Sequence, residues 1–214
     1  MYPLSTRIIA VRHGETDWNV GTRIQGQLDI DLNATGRQQA NRVARALVEE
    51  PIAAIYASDL QRAWQTATAI AEKADCPLLP EPDLRERGFG VFQGKTYAEI
   101  EALWPQASQR WRERHPDWAP DGGESLTGLY ERVNTICSTL AERHLGEQIV
   151  LVAHGGVLDV LYRLATRQTV QTPRTWELSN ASINRLLWTP EGFSLVGWAD
   201  TRHLDDASRD EALS

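Results

Sequence analysis

Three short apolar runs, at residues 7–11, 52–57 and 148–153, each lead into a segment whose apolar residues recur at helical spacing. This alternation restricts the chain to a sheet of mostly parallel strands covered by helices, because a strand buried on both faces reads as an unbroken apolar run. The first run stops at Arg12-His13-Gly14. Asn33 can cap the helix that follows, Ala40, Val43, Ala44, Leu47 and Val48 keep a 3.6-residue period, and Pro51 marks the end. After the second run Ser58 is expected to cap a helix with the stripe Ala63, Ala67, Ile70, Ala71 and Ala74. A helix capped by Ser125 (Leu126, Leu129, Val133, Ile136, Leu140) precedes the third run, and another (Val157, Leu158, Leu161, Leu164) follows Gly155-Gly156. Residues 182–188 and 193–198 flank Thr189-Pro190-Glu191-Gly192 as strand, turn and strand. The expected fold class is α/β: a three-layer α/β/α sandwich whose mostly parallel sheet has an antiparallel edge.

Residues 81–123 break the rhythm with four prolines, three tryptophans and paired glycines, and only the capping box Thr96-x-x-Glu99 suggests a short helix. The 214 residues are read as a single domain, 1–214, with a lid-like insertion at about 88–123. The last ten or so residues are polar and expected to fray. Twenty-two basic against 29 acidic residues leave −7, which argues against a sequence-independent grip on nucleic acid or an anionic membrane. Cys76 and Cys137 stand alone, with neither disulfide nor zinc spacing, and are expected as free thiols in a reducing compartment. The opening residues lack the basic and apolar stretches of a signal peptide, so the expected location is the cytoplasm. A homodimer is compatible with the sequence but not specified by it.

In parallel sheets ligands bind beyond the carboxyl ends of the strands. The residues there are Arg12-His13-Gly14-Glu15-Thr16, Ser58-Asp59-Leu60-Gln61-Arg62 and His154-Gly155-Gly156. If the three strands are neighbours, two arginines and two histidines converge in a chain of negative net charge. That pattern fits an anion site, because guanidinium forks match phosphate oxygens and glycines leave backbone amides accessible. A neutral imidazole attacks phosphorus well when its other nitrogen is held by a hydrogen bond, and a second, protonated histidine with the arginines would neutralise the phosphoryl oxygens. Glu86, in Leu84-Arg85-Glu86-Arg87-Gly88, is the candidate proton donor for the leaving group, since a carboxyl beside a bound phosphate holds its proton more tightly.

The motif Val11-Arg12-His13-Gly14-Glu15-Thr16-x-Trp18-Asn19 resembles that of the histidine phosphatase superfamily, which includes cofactor-dependent phosphoglycerate mutases and small-molecule phosphatases. Similar family patterns run through Ser58-Asp59-Leu60-x-Arg62-Ala63-x-Gln65-Thr66-Ala67, Glu86-x-x-Phe89-Gly90-x-x-x-Gly94, Gly122-Gly123-Glu124-Ser125 and Val152-Ala153-His154-Gly155-Gly156, covering roughly 7–204. The resemblance implies a phosphoglycerate mutase-like fold, with His13 as the phosphorylated nucleophile, Arg12, Arg62 and His154 around the phosphate, and Glu86 as acid. It also implies Asn19, Gln25 and Gly155 as substrate contacts, a small phosphorylated metabolite as substrate, and no metal or other cofactor. Mutases of this family place a lysine where this chain has Tyr97, and paired arginines where Trp111-Arg112 is followed by Glu113, so the resemblance favours the phosphatase side and leaves one anionic clamp. Gln25-Gly26 after Arg23 and the closing Asp200-Thr201-Arg202-His203-Leu204 point the same way.

The alternatives are a phosphoglycerate mutase, and a binding module that keeps the basic pocket without turnover. His115, His144 and His203 lack comparable company and read as surface or packing residues. Arg112 and Arg114 read as a solvated lid face, with a second anionic group on the substrate within their reach. Trp104, Trp111 and Trp118 read as packing of the lid rather than a stacking platform, because Pro105, Pro116 and Pro120 forbid one continuous helix.

Overall fold

A computed structural model describes residues 5–205. Six strands form one sheet: β1 (Thr6–Arg12), β2 (Ala54–Ala57), β3 (Leu78–Pro80), β4 (Gln148–Ala153), β5 (Ile183–Thr189) and β6 (Gly192–Asp200), in the order β3-β2-β4-β1-β5-β6. The first four run parallel, and β5 and β6 complete the sheet as an antiparallel edge. The three strands that end in the candidate residues are therefore neighbours. Sequence reading missed β3, whose three residues carry no pattern of their own. It forms because α3 returns the chain alongside β2, where the Ile55 amide donates to Pro77 O at 2.9 Å and the Glu81 amide to Ala57 O at 2.7 Å. Pro80 is tolerated there because an edge strand has a free side.

Helices α2 (Ala34–Ala46) and α3 (Gln61–Ala74) cover one face, and α6 (Leu126–Arg143) and α7 (Gly155–Thr166) the other. Successive residues of the central strands feed opposite layers: Ile8, Ala10, Ile149, Leu151 and Ala153 pack toward α6 and α7, whereas Ile9, Val11, Val150 and Val152 pack toward α2 and α3. All are essentially inaccessible, which is why both runs lack polar residues.

Two boundaries differ from expectation. Helix α2 ends at Ala46, with Leu47 still buried in the same layer and Val48 exposed, so the apolar pattern outlasts the helix. Helix α3 starts at Gln61 without a side-chain cap of its own; the Gln61 amide is satisfied by Asp29 Oδ1 at 2.7 Å, from a remote loop. Ser58 is thus not the cap and is free for another role.

Within 88–123 the Thr96–Glu99 capping box opens α4 (Tyr97–Leu103), and Pro105 opens α5 (Pro105–Arg112) at a position where its missing amide is harmless. Trp104, Trp111 and Trp118 surround buried Phe92, with ring centroids 5.7, 5.4 and 6.2 Å away, as the packing reading expects. Short helices α1 (Asp17–Val20) and α8 (Arg202–Asp205) complete the described structure. Cys76 and Cys137 are free thiols, and burial pushes that of Cys137 up to about 12. Among the described residues no helix is long and apolar enough to cross a membrane. The expected fraying falls on 206–214, outside the described residues.

Candidate active site

A cavity of about 720 Å³ opens beyond the carboxyl ends of the parallel strands, and its lining includes Arg12, His13, Asn19, Gln25, Arg62, Glu86 and Gly155. His154 lies directly behind, its ring centroid 5.2 Å from that of His13. Every residue singled out in the sequence is therefore brought to one place.

His13 is 3% exposed and its Nδ1 lies 2.7 Å from Gly14 O. A carbonyl only accepts, so Nδ1 carries the hydrogen and Nε2 keeps its lone pair. Burial, reinforced by Arg62 and Arg12, holds the imidazole well below the usual histidine range, which keeps it neutral. The turn that delivers it needs glycine twice. A Cβ on Gly14 would lie 2.5 Å from Gly36 O, and one on Gly36 would strike Glu15 O, so the loop after β1 presses directly on the start of α2. Asn180 Nδ2 spans the same turn, donating to His13 O at 3.0 Å and to Asn19 Oδ1 at 3.3 Å. Asn19 Oδ1 also accepts from the Thr16 amide, which leaves its Nδ2 hydrogens for a ligand.

Ser58 proves to be a neighbour of His154: its Oγ lies 2.8 Å from His154 Nε2 while accepting from the Leu60 amide at 3.3 Å. With the hydroxyl hydrogen on Nε2, the neutral ring presents Nδ1–H as a donor. The expected protonated histidine is corrected here. Burial, Arg62, His13 and Arg12 all push the His154 pKa well below the ordinary range, so it is a neutral donor.

Arg62 is fully buried at the first turn of α3, its Nη1 donating to Leu28 O at 2.8 Å and its Nη2 to Gly26 O at 2.6 Å. Burial lowers its pKa to about 10, still far above neutrality. Arg12 donates from Nη1 to Leu178 O. Five buried side-chain polar atoms lack a partner among the described residues, and four belong to this site: Arg12 Nε, Arg62 Nε, His154 Nδ1 and Gln25 Oε1. Such atoms are rarely left unsatisfied in folded proteins, and three donors converging on one cavity describe a cradle for an oxyanion.

Glu86 projects into the cavity while accepting from the Gly156 amide at 3.0 and 3.1 Å and from the Arg87 amide at 2.7 Å. The two residues beside it are tied down separately, Arg85 by a two-pronged pair with Asp59 and Arg87 through Nε to Glu124 O. Of the two glycines, Gly156 is the constrained one: a Cβ there would collide with Glu86 Oε1, whereas Gly155 has ordinary clearance. Sequence reading named Gly155 and missed Gly156, Ser58, Asn180 and Arg87; the glycine pair was the only visible hint for the first.

The lid-face residues divide. Arg112 is exposed and pairs with Glu101, and Glu113 turns to Gln109 and His115. Arg114, by contrast, turns inward to Asp159, which corrects its reading as a solvated side chain. Tyr97 stacks flat on Trp111, ring centroids 5.0 Å apart. His144 bonds Tyr56 and Glu147, and His203 bonds Ala181 O, both away from the cavity as expected. Among the described residues no group of three or more His, Cys, Asp or Glu is arranged to hold a metal ion.

The sequence matches the model of the histidine phosphatase superfamily (branch 1) over residues 8–201. Phosphoglycerate mutase-like protein 4 of Arabidopsis thaliana is 41% identical over 203 residues, covering 93% of this chain and 87% of that one. The metal-independent phosphoserine phosphatase of the same plant is 40% identical over 202 residues, covering 93% and 83%. The mycobacterial glucosyl-3-phosphoglycerate phosphatase solved with VO3 superposes with a TM-score of 0.83 at 35% identity, covering 91% of this chain and 99% of that one. The chain belongs to the histidine phosphatase superfamily, branch 1.

Proposed function

We propose that the protein hydrolyses a small-molecule phosphomonoester through a phosphohistidine at His13, in the cytoplasm and with 88–123 acting as the lid of a single domain. The observation that carries this reading is the set of orphaned donors, Arg12 Nε, Arg62 Nε and His154 Nδ1, around a neutral imidazole. They suit the three outer oxygens of a phosphoryl group, whose transfer depends chiefly on positioning and on charge neutralisation. Two relatives named as phosphatases, one of them solved with VO3, support the same class of substrate.

In the first step His13 Nε2 forms a bond to phosphorus as the ester P–O bond breaks, and protonated Glu86 gives its proton to the departing alkoxide. In the second step water attacks phosphorus, Glu86 accepts its proton, and the P–N bond breaks to release phosphate. The guanidiniums meet the phosphoryl charge without a metal. Rapid quench with ³²P-labelled substrate in EDTA should trap an acid-labile, base-stable phosphoprotein absent from His13→Ala. Label persisting in that variant, or activity that requires an added divalent ion, would overturn the reading.

A further inference from the structure

Ala181, at the approach to β5, is fully buried yet sits at φ 56, a left-handed conformation that residues bearing a Cβ rarely adopt. A residue in so sparsely populated a conformation persists only where its surroundings over-determine it. Here both polar groups of its backbone are committed. The amide is shared between Arg12 O at 3.1 Å and His13 O at 3.2 Å, and the carbonyl oxygen accepts from His203 Nε2 at 3.0 Å. The ladder of β5 does not impose this bend, since the strand begins only at Ile183.

The bend delivers Asn180 to the nucleophile. Its side-chain amide meets three oxygens, His13 O at 3.0 Å and both Gly14 O and Asn19 Oδ1 at 3.3 Å, so its nitrogen end must face them. Gly14 O is also the carbonyl that accepts from His13 Nδ1, so Asn180 steadies the acceptor that fixes the tautomer and the ring angle of the imidazole. His203 holds the other end. Its helix α8 is anchored on the α2 layer, where Leu204 packs and the Leu204 carbonyl accepts from Arg42. Ala181 O only accepts, so His203 Nε2 carries a hydrogen, and burial lowers the pKa of the ring, which favours the neutral form with Nδ1 bare.

We infer that His203 is a positioning residue for His13: by holding Ala181 O it fixes the bend through which the Ala181 amide and Asn180 clamp the carbonyls of residues 12–14 and aim His13 Nε2 at phosphorus. The inference rests on the phosphohistidine reading and adds to it a residue outside the cavity. The Arg12 guanidinium is tied separately, to Leu178 O, and that of Arg62 to Leu28 O and Gly26 O, so the phosphate cradle keeps its shape when this clamp loosens. The clamp therefore bears on the bond-forming nitrogen rather than on phosphate binding.

The test separates aim from affinity. Inorganic phosphate needs only the cradle, whereas vanadate imitates the five-coordinate transition state by bonding to the nucleophile and so reports its aim. His203→Phe keeps a ring without the donor. It should lower kcat by about 10- to 100-fold, the cost of misplacing a reacting atom by up to an ångström, and weaken vanadate by a similar factor, with KM and the Kd of phosphate near wild type. His203→Gln, whose Nε2 can donate to Ala181 O, should recover most of both losses. Should His203→Phe not fold, Asn180→Ala, which opens the same clamp from a half-buried position, carries the same expectation. Unchanged kcat and vanadate affinity, or parallel losses for vanadate and phosphate, overturn the positioning role and leave the phosphatase reading standing. If the wild type forms no phosphoprotein, that reading fails instead, and the ¹⁵N shifts of the His13 ring still decide the clamp. They should show the Nδ1–H tautomer in the wild type and a mixture in His203→Phe, and identical spectra overturn it.

Discussion

His13 and His154 are held uncharged by the same cations that make the cavity attractive to phosphate, and this has a measurable effect on stability. Both folded pKa values lie below the unfolded value of about 6.5, so as pH falls below 6.5 the unfolded chain takes up protons that the folded chain refuses. Stability is therefore unpenalised above 6.5 and lost below it, at up to about 1.4 kcal/mol per pH unit for each histidine. Urea unfolding from pH 7.5 to 5 should show a shallower loss in His154→Gln than in the wild type, by about that slope. Coincident slopes would mean that His154 is charged in the fold. Glu86 gives a second prediction at this scale. Glu86→Gln keeps the shape but has no proton to give, so turnover of alkyl phosphates should fall by about 10²- to 10⁴-fold, with nitrophenyl phosphate, whose leaving group needs little protonation, affected far less. Equal losses would make Glu86 a binding residue. Arg12, His13 and His154 were legible because each stands directly after an apolar run, at the strand ends where ligands bind, whereas Glu86 carried no such mark and was singled out from its Leu84–Gly88 segment. The protonation states were not, because burial and the mutual repulsion of cations exist only once three separate strand ends are assembled.

At the scale of elements, the parallel strands and their covering helices could be read because burial on both faces leaves a local mark, an apolar run followed by a 3.6-residue stripe. What stayed hidden was whatever depends on a remote partner. Strand β3 exists through bonds to β2, and α3 starts without its own cap because Asp29 supplies the acceptor. Ser58 looked like that cap and instead faces His154 across 96 residues of sequence. Gly156 is a further case: its role comes from Glu86, which approaches the first turn of α7 from 70 residues away. Gly156→Ala should leave the fold near wild-type stability, since alanine suits a helix start, while pushing the Glu86 carboxylate off its amide. The expected result is a loss of kcat greatest for poor leaving groups, reproducing Glu86→Gln in kind. A variant with unchanged leaving-group dependence would show that the carboxylate does not need the helix to aim it.

For the whole molecule the governing contrast is between a chain of net charge −7 and a cavity walled by arginines. The net charge disfavours anions generally, so any anion that binds must do so through local geometry rather than a diffuse field, which at physiological salt decays within about 8 Å. The buried guanidinium of Arg62 and the half-buried one of Arg12 have only carbonyls as partners, and each leaves its Nε unsatisfied. Glu86 is the negative charge that both feel, but it hydrogen-bonds neither, so folding has assembled these orphaned donors without an acceptor to satisfy them, and a phosphate supplies one only to the folded state. Linkage turns this into a stability increment of about 2.7 kcal/mol at a phosphate concentration 100 times its Kd. For a chain of this length that corresponds to a rise in Tm of roughly 5–10 °C. Thermal unfolding in phosphate against chloride at matched ionic strength should show this rise, and Arg12→Ala should reduce it. A Tm that responds equally to both salts would mean that the cavity does not recognise phosphate, whatever its residues resemble.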